Sequence, residues 1–99
     1  MAYELSWSPA SRSDLRDIVH YISRDSPQRA QAFAFRLIRH VDVLQEQPES
    51  GRMVPEHRVP HIREIIFRPY RIVYRVNHDL QLVQIARVWH AARGTPEVG

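Results

Sequence analysis

Two periods alternate in the spacing of apolar residues along this chain. Leu15, Ile18, Val19 and Ile22 recur three or four apart, with Arg12, Asp14, Arg16, Asp17 and Arg24 between them. That spacing predicts an amphipathic helix over about residues 9–24. Ser8 offers a side-chain oxygen to the first free amides, and Pro9 has its φ already fixed near the helical value. The same start recurs at Asp25-Ser26-Pro27. Ala30, Phe33, Ala34, Leu37, Ile38, Val41 and Leu44 then mark a second apolar stripe, which Pro48 ends. So short a link predicts that the helices fold back as an antiparallel hairpin.

Elsewhere the period is two. Tyr3 to Trp7 reads as a first strand. Pro48 to Pro60 carries three prolines, Gly51 and few apolar side chains, so it reads as a surface loop in which Gly51 serves a turn. Arg63–Phe67, Arg71–Val76 and Leu80–Trp89 are rich in Val, Ile, Tyr and Phe, and are separated by Arg-Pro-Tyr and Asn-His-Asp. The expected order is β-α-α-β-β-β, an α+β fold whose antiparallel sheet packs on an N-terminal helical hairpin. Residues 94–99 are expected to be a loose tail.

Pairing Val76 with Leu80 across Asn-His-Asp sorts the last hairpin into two faces. Ile72, Tyr74, Val76, Leu80, Leu82, Ala86 and Val88 fall on one. Arg71, Val73, Arg75, Gln81, Val83, Ile85, Arg87 and Trp89 fall on the other. The second set cannot close over its arginines, so guanidinium groups are expected on an open face of the sheet or at its rim.

Composition narrows what such a face can do. Ninety-nine residues suit one domain over 1–99, and no apolar run reaches the roughly 18 residues of a membrane span. The N-terminus lacks the basic and apolar regions of a secretory signal, so a cytoplasmic location is expected. Without cysteine there are no disulfides and no thiolate chemistry; without lysine there is no lysine catalysis. All 14 basic residues are arginine. Residues 1–50 hold six against seven acids and residues 51–99 hold eight against four, a balance of −1 and +4. Two explanations stay open for this bias. Arginine is the fork that grips carboxylates and phosphates, and a GC-rich coding composition also favours it. His57 and His61 stand four apart, but Pro55 and Pro60 oppose a helix there and no third ligand is evident, so no metal is expected. No cofactor is implied.

Four segments carry a family resemblance: YELSWSPASRSDLRDIVHYI, VDVLQEQPESGR, IREIIFRPYRIVYRV and VQIARVWHAAR. Their order and lengths, over nearly the whole chain, resemble the RelE/ParE superfamily of toxins from type II toxin–antitoxin systems. The resemblance implies one of two activities, and a nucleic-acid-binding module or an inactive partner protein stays open beside them. RelE-like members cut mRNA on the ribosome; on that branch Arg71 would face the scissile phosphate, His90 would move a proton, and Glu64 or Glu56 would act as base. ParE-like members poison DNA gyrase as protein inhibitors. The absence of lysine, the absence of a counterpart for the RelE catalytic tyrosine, and the ending with His90 and Arg93 favour the ParE-like branch. The resemblance also implies a cognate antitoxin whose acidic segment folds on the toxin in a hetero-oligomer. Arg63, Arg68, Arg71, Arg75, Arg87, Trp89 and Arg93 are the expected residues for antitoxin or target.

Overall fold

The structure, a computed structural model, describes residues 2–98. Strand β1 (Glu4–Trp7) leads into helices α1 (Pro9–Ser23) and α2 (Pro27–Asp42), and a single 3-10 turn (Val43–Gln45) follows. After a loop come β2 (Arg52–Met53), β3 (Ile62–Phe67), β4 (Tyr70–Asn77) and β5 (Leu82–His90), then a second 3-10 turn (Ala91–Arg93). Both helices begin as the sequence predicts. Ser8 Oγ accepts from Ser11 N at 3.0 Å and Ser26 Oγ from Arg29 N at 3.2 Å, each supplying an acceptor that the first turn lacks. No helix among the described residues is long and apolar enough to cross a membrane.

The five strands form one sheet in the order β1-β5-β4-β3-β2. Order and class match the expectation, with two refinements. β1 is parallel to β5, so the sheet is mixed, and the two-residue β2 extends the far edge beyond β3. The helices cover one face. Phe33, Leu37, Val41 and Leu44 bury against Ile72, Tyr74, Val76, Val83, Ile85 and Val88. At about 1.5–3 kcal/mol for each fully buried aliphatic or aromatic side chain, this layer is the main source of stability.

The register of the last hairpin differs from the sequence expectation. Val76 pairs with Val83, and residues 78–81 make the turn. Asn77 Oδ1 accepts from Leu80 N at 3.0 Å, and Gln81 takes a φ of 50°. Leu80 is therefore exposed, its apolar character notwithstanding. A bulge then leaves Ala86 without a partner, since Tyr74 pairs with Ile85 but Val73 with Arg87. Val83 and Ile85 thus belong to the core rather than to the arginine face, while Leu82, paired with Asn77, lies on the other side. Arg71, Val73, Arg75, Arg87 and Trp89 share the open face as expected.

Residues 94–98 of the expected tail are not loose, and Gly99 lies outside the described residues. Gly94, with φ of 82°, turns the chain back after the second 3-10 turn, a conformation that costs glycine little. Residues 94–98 then run across the open face; Pro96 is buried, and Val98 packs on a second small cluster of Val54, Ile62 and Val73.

Candidate functional site

The open face is built around Arg71. Paired residues on adjacent strands share a side of the sheet, which brings Glu64 of β3 beside Val73 and hence next to Arg71. Arg71 Nε donates to Glu64 Oε1 at 2.6 Å, Nη2 to Glu56 Oε1 at 3.1 Å, and Nη1 to Gly94 O at 2.7 Å and Thr95 Oγ1 at 3.1 Å. The hydrogen bond that Arg71 donates to Glu64, more than any other contact, pushes the arginine's pKa above its ordinary value. Glu64 is fully buried, and its other oxygen accepts from Arg52 Nε at 2.7 Å and Nη2 at 2.6 Å. A buried carboxylate held by two guanidiniums is a compensated charge with no room for a substrate.

Around this centre lie cations with more solvent contact. Arg75 Nη2 donates to Val98 O at 2.8 Å. Arg87 makes a two-pronged ion pair with Asp14 of α1, both bonds at 2.7 Å, and Asp14 also accepts from Val88 N. Asp14 raises the Arg87 pKa and latches α1 to β5. Trp89 is flanked by Arg87 and Arg93, whose guanidinium carbons lie 4.6 and 3.7 Å from its ring centroid. Arg93 is exposed, so its outer face is open to a ligand.

Three expected residues lie elsewhere. Arg68 sits exposed in the turn between β3 and β4. Arg63 pairs with Tyr74 on the helix-covered side, where its Nη1 donates to Gly51 O at 2.9 Å and Nη2 to Glu49. His90 pairs with Tyr70, and Tyr70 packs on Phe33 of α2. Trp89 pairs with Arg71, and successive residues of a strand point to opposite sides. The sheet therefore stands between the His90 ring and the Arg71–Glu64 pair. His90 Nδ1 instead accepts from Ala92 N at 3.1 Å and caps the 3-10 turn. His57 Nε2 lies 3.2 Å from Pro96 O, and no group of three or more metal-ligating side chains occurs among the described residues. Arg52, Asp14 and the tail contacts escaped the sequence reading. The apolar Pro96 and Val98 are the only sign of those contacts in the sequence.

A family model described as the ParE toxin of the type II toxin–antitoxin system parDE matches residues 5–94. The chain belongs to the ParE toxin family. Among its ParE/RelE relatives, toxin RelE2 of Caulobacter vibrioides is 38% identical over 91 residues, covering 91% of this chain and 97% of that one. The Sinorhizobium fredii protein Y4kP, whose name also describes a toxin, is 34% identical over 96 residues, 95% of this chain and 94% of its own. The solved chromosomal ParDE system of P. aeruginosa superposes with a TM-score of 0.73 at 25% identity, over 90% of this chain and 96% of that one. The ParE match ends at Gly94, the residue at which this chain turns back over its arginines.

Proposed function

We propose that this ParE family toxin arrests growth by binding DNA gyrase and trapping the enzyme on cleaved DNA, and that a cognate antitoxin neutralises it. One observation carries the choice: His90, the proton carrier a nuclease would need, is not assembled with Arg71, although Glu56 is. Glu64 is buried and saturated by Arg52 and Arg71, and His90 lies across the sheet from both. What the open face offers is fixed positive charge around an aromatic ring. That chemistry suits adhesion to an acidic protein surface or segment better than proton transfer. The antitoxin would bring an acidic segment that orders on binding and pairs its carboxylates with Arg75, Arg87 and Arg93.

The test adds purified toxin to gyrase with supercoiled plasmid and ATP. Loss of supercoiling with accumulation of linear DNA supports the reading. The 38% identity to a protein named toxin RelE2 keeps ribosome-dependent mRNA cleavage as the second reading. Growth arrest in cells without any effect on gyrase, together with mRNA cut on ribosomes, would establish that reading instead.

A further inference from the structure

We propose that residues 95–98 form a displaceable strap, which occupies on Arg71 and Arg75 the places that the carboxylates of an extended acidic peptide take when it binds. The inference rests on the reading of this face as a partner-binding surface. It does not depend on which target the toxin strikes.

The strap meets the arginines with neutral acceptors. Gly94 O and Thr95 Oγ1 receive from Arg71, and Val98 O receives from Arg75. A carboxylate in those positions adds a full opposite charge and a two-pronged geometry that a carbonyl or hydroxyl acceptor does not offer a guanidinium. An acidic segment therefore outcompetes the strap for both guanidiniums, yet the strap keeps them satisfied until such a segment arrives. The second anchor is small: only Pro96 is buried, and Val98 is one half-buried side chain resting on Val54, Ile62 and Val73. A clasp on the other side comes from the 54–60 loop, where His57 Nε2 lies 3.2 Å from Pro96 O and Glu56 is hydrogen-bonded to Thr95.

Gly94 provides the hinge. Its φ is 82°, a conformation that costs glycine little, and the space where a side chain would stand is open. Lifting the strap exposes a lane with an apolar centre, Val54, Ile62 and Val73, between Arg71 and Arg75. An extended peptide with acidic and apolar residues in alternation fits that lane, with one set of side chains on the valines and isoleucine and the flanking carboxylates on the arginines. The strap has a trace of the same pattern, Val98 down and Glu97 exposed. Residues 95–98 lie beyond the segment that matches the family model.

The experiment compares the full chain with its Pro96→Gly, Val98→Gly variant. Phenylglyoxal modification of Arg75 and Arg71 is followed by peptide mass spectrometry. Binding of a ten-residue peptide of alternating glutamate and valine is titrated in parallel. If the strap is closed about nine-tenths of the time, opening it raises both the Arg75 labelling rate and the peptide affinity by about tenfold. Should the double variant fail to fold, Val98→Ala is read the same way, with a gain of about threefold. Equal labelling in parent and variant would overturn the proposal, because the strands alone would then set access. Weaker peptide binding in the variant would overturn it too, since the strap would be part of the site. Neither readout uses gyrase or ribosomes, so a wrong choice of target leaves these results unchanged.

Discussion

Glu64 Oε1 lies 2.6 Å from Arg71 Nε, with the carboxylate fully buried and the guanidinium nearly so. The pair joins β3 to β4 on the open face, and Arg52 joins β2 to the same carboxylate. A sequence that places a glutamate near an arginine on neighbouring strands invites a catalytic interpretation. The burial of Glu64 gives it a structural role instead. Glu64→Gln removes the charge that balances two arginines while keeping the shape. Removing one partner of a buried pair costs about 3–5 kcal/mol, and a loss of that size in urea unfolding is the expected result. A proton-transfer base would behave otherwise: the variant would unfold at the parental urea concentration and lose activity alone.

Gly51 is held by close approach rather than by turn geometry. A Cβ there would stand 2.5 Å from Glu64 O and 2.6 Å from Tyr74 Oη, and the Gly51 amide already donates to that hydroxyl at 2.9 Å. One contact is backbone and cannot move without breaking the sheet. Gly51→Ala is expected to lower stability by about 1–3 kcal/mol through overpacking. Adding Tyr74→Phe removes the hydroxyl but not the Glu64 carbonyl, so the double variant should recover part of the loss and fall short of additivity. Full additivity in chemical denaturation would show that the two groups do not meet.

Much of this architecture is legible in the sequence, for physical reasons that also explain where legibility stops. Ser8-Pro9 and Ser26-Pro27 state the helix starts because capping chemistry is local. Phe33, Leu37, Val41 and Leu44 declare a buried face because one period governs them. The register of the last hairpin was not legible. Leu80 is apolar and lies where a strand would begin, but the turn is fixed by the Asn77 side chain and the left-handed Gln81, and the bulge at Ala86 resets the alternation. Arg71, Glu64 and His90 could be named as candidates from residue type and family pattern. That His90 lies on the opposite side of the sheet follows from its place next to Trp89 in the strand, and the corrected pairing keeps it there. The tail was least legible, because carbonyl groups do most of the binding and every residue has one.

Glu56 gives the strap a dependence on pH. Its carboxyl is held below the ordinary glutamate value of 4.5, first by the hydrogen bond with Thr95, then by its own backbone amide and by Arg71. A group whose pKa is lower in the folded state contributes stability above its unfolded value and loses it as pH falls through the folded value. The contribution of Glu56 to strap closure should therefore be constant above about pH 4.5 and weaken below it. Amide hydrogen exchange at residues 95–98, followed across that range, checks the direction. Glu56→Gln should flatten the acid limb. An acid limb unchanged in the variant would assign it to another carboxylate.

His90 separates the two toxin mechanisms most sharply, because its structural task can be reproduced without its acid–base chemistry. Nδ1 accepts from Ala92 N at 3.1 Å, the ring stands edge-on to Tyr70 at 5.5 Å between centroids, and the side chain lies on the far side of the sheet from Arg71. An asparagine side chain carries an oxygen that can take the same amide proton, whereas alanine leaves that amide to water. His90→Ala is expected to lose about 1 kcal/mol of stability in thermal melts, the usual cost of a missing cap, and His90→Asn less. Growth arrest should survive in both variants to the extent that they remain folded. Loss of an acid–base group has a different signature, a fall of about 10²–10⁴-fold in rate that asparagine cannot rescue because it does not titrate. Arrest abolished by His90→Asn in a fully folded toxin would therefore turn the case toward mRNA cleavage and require His90 and its substrate to meet on the helix-covered side of the sheet.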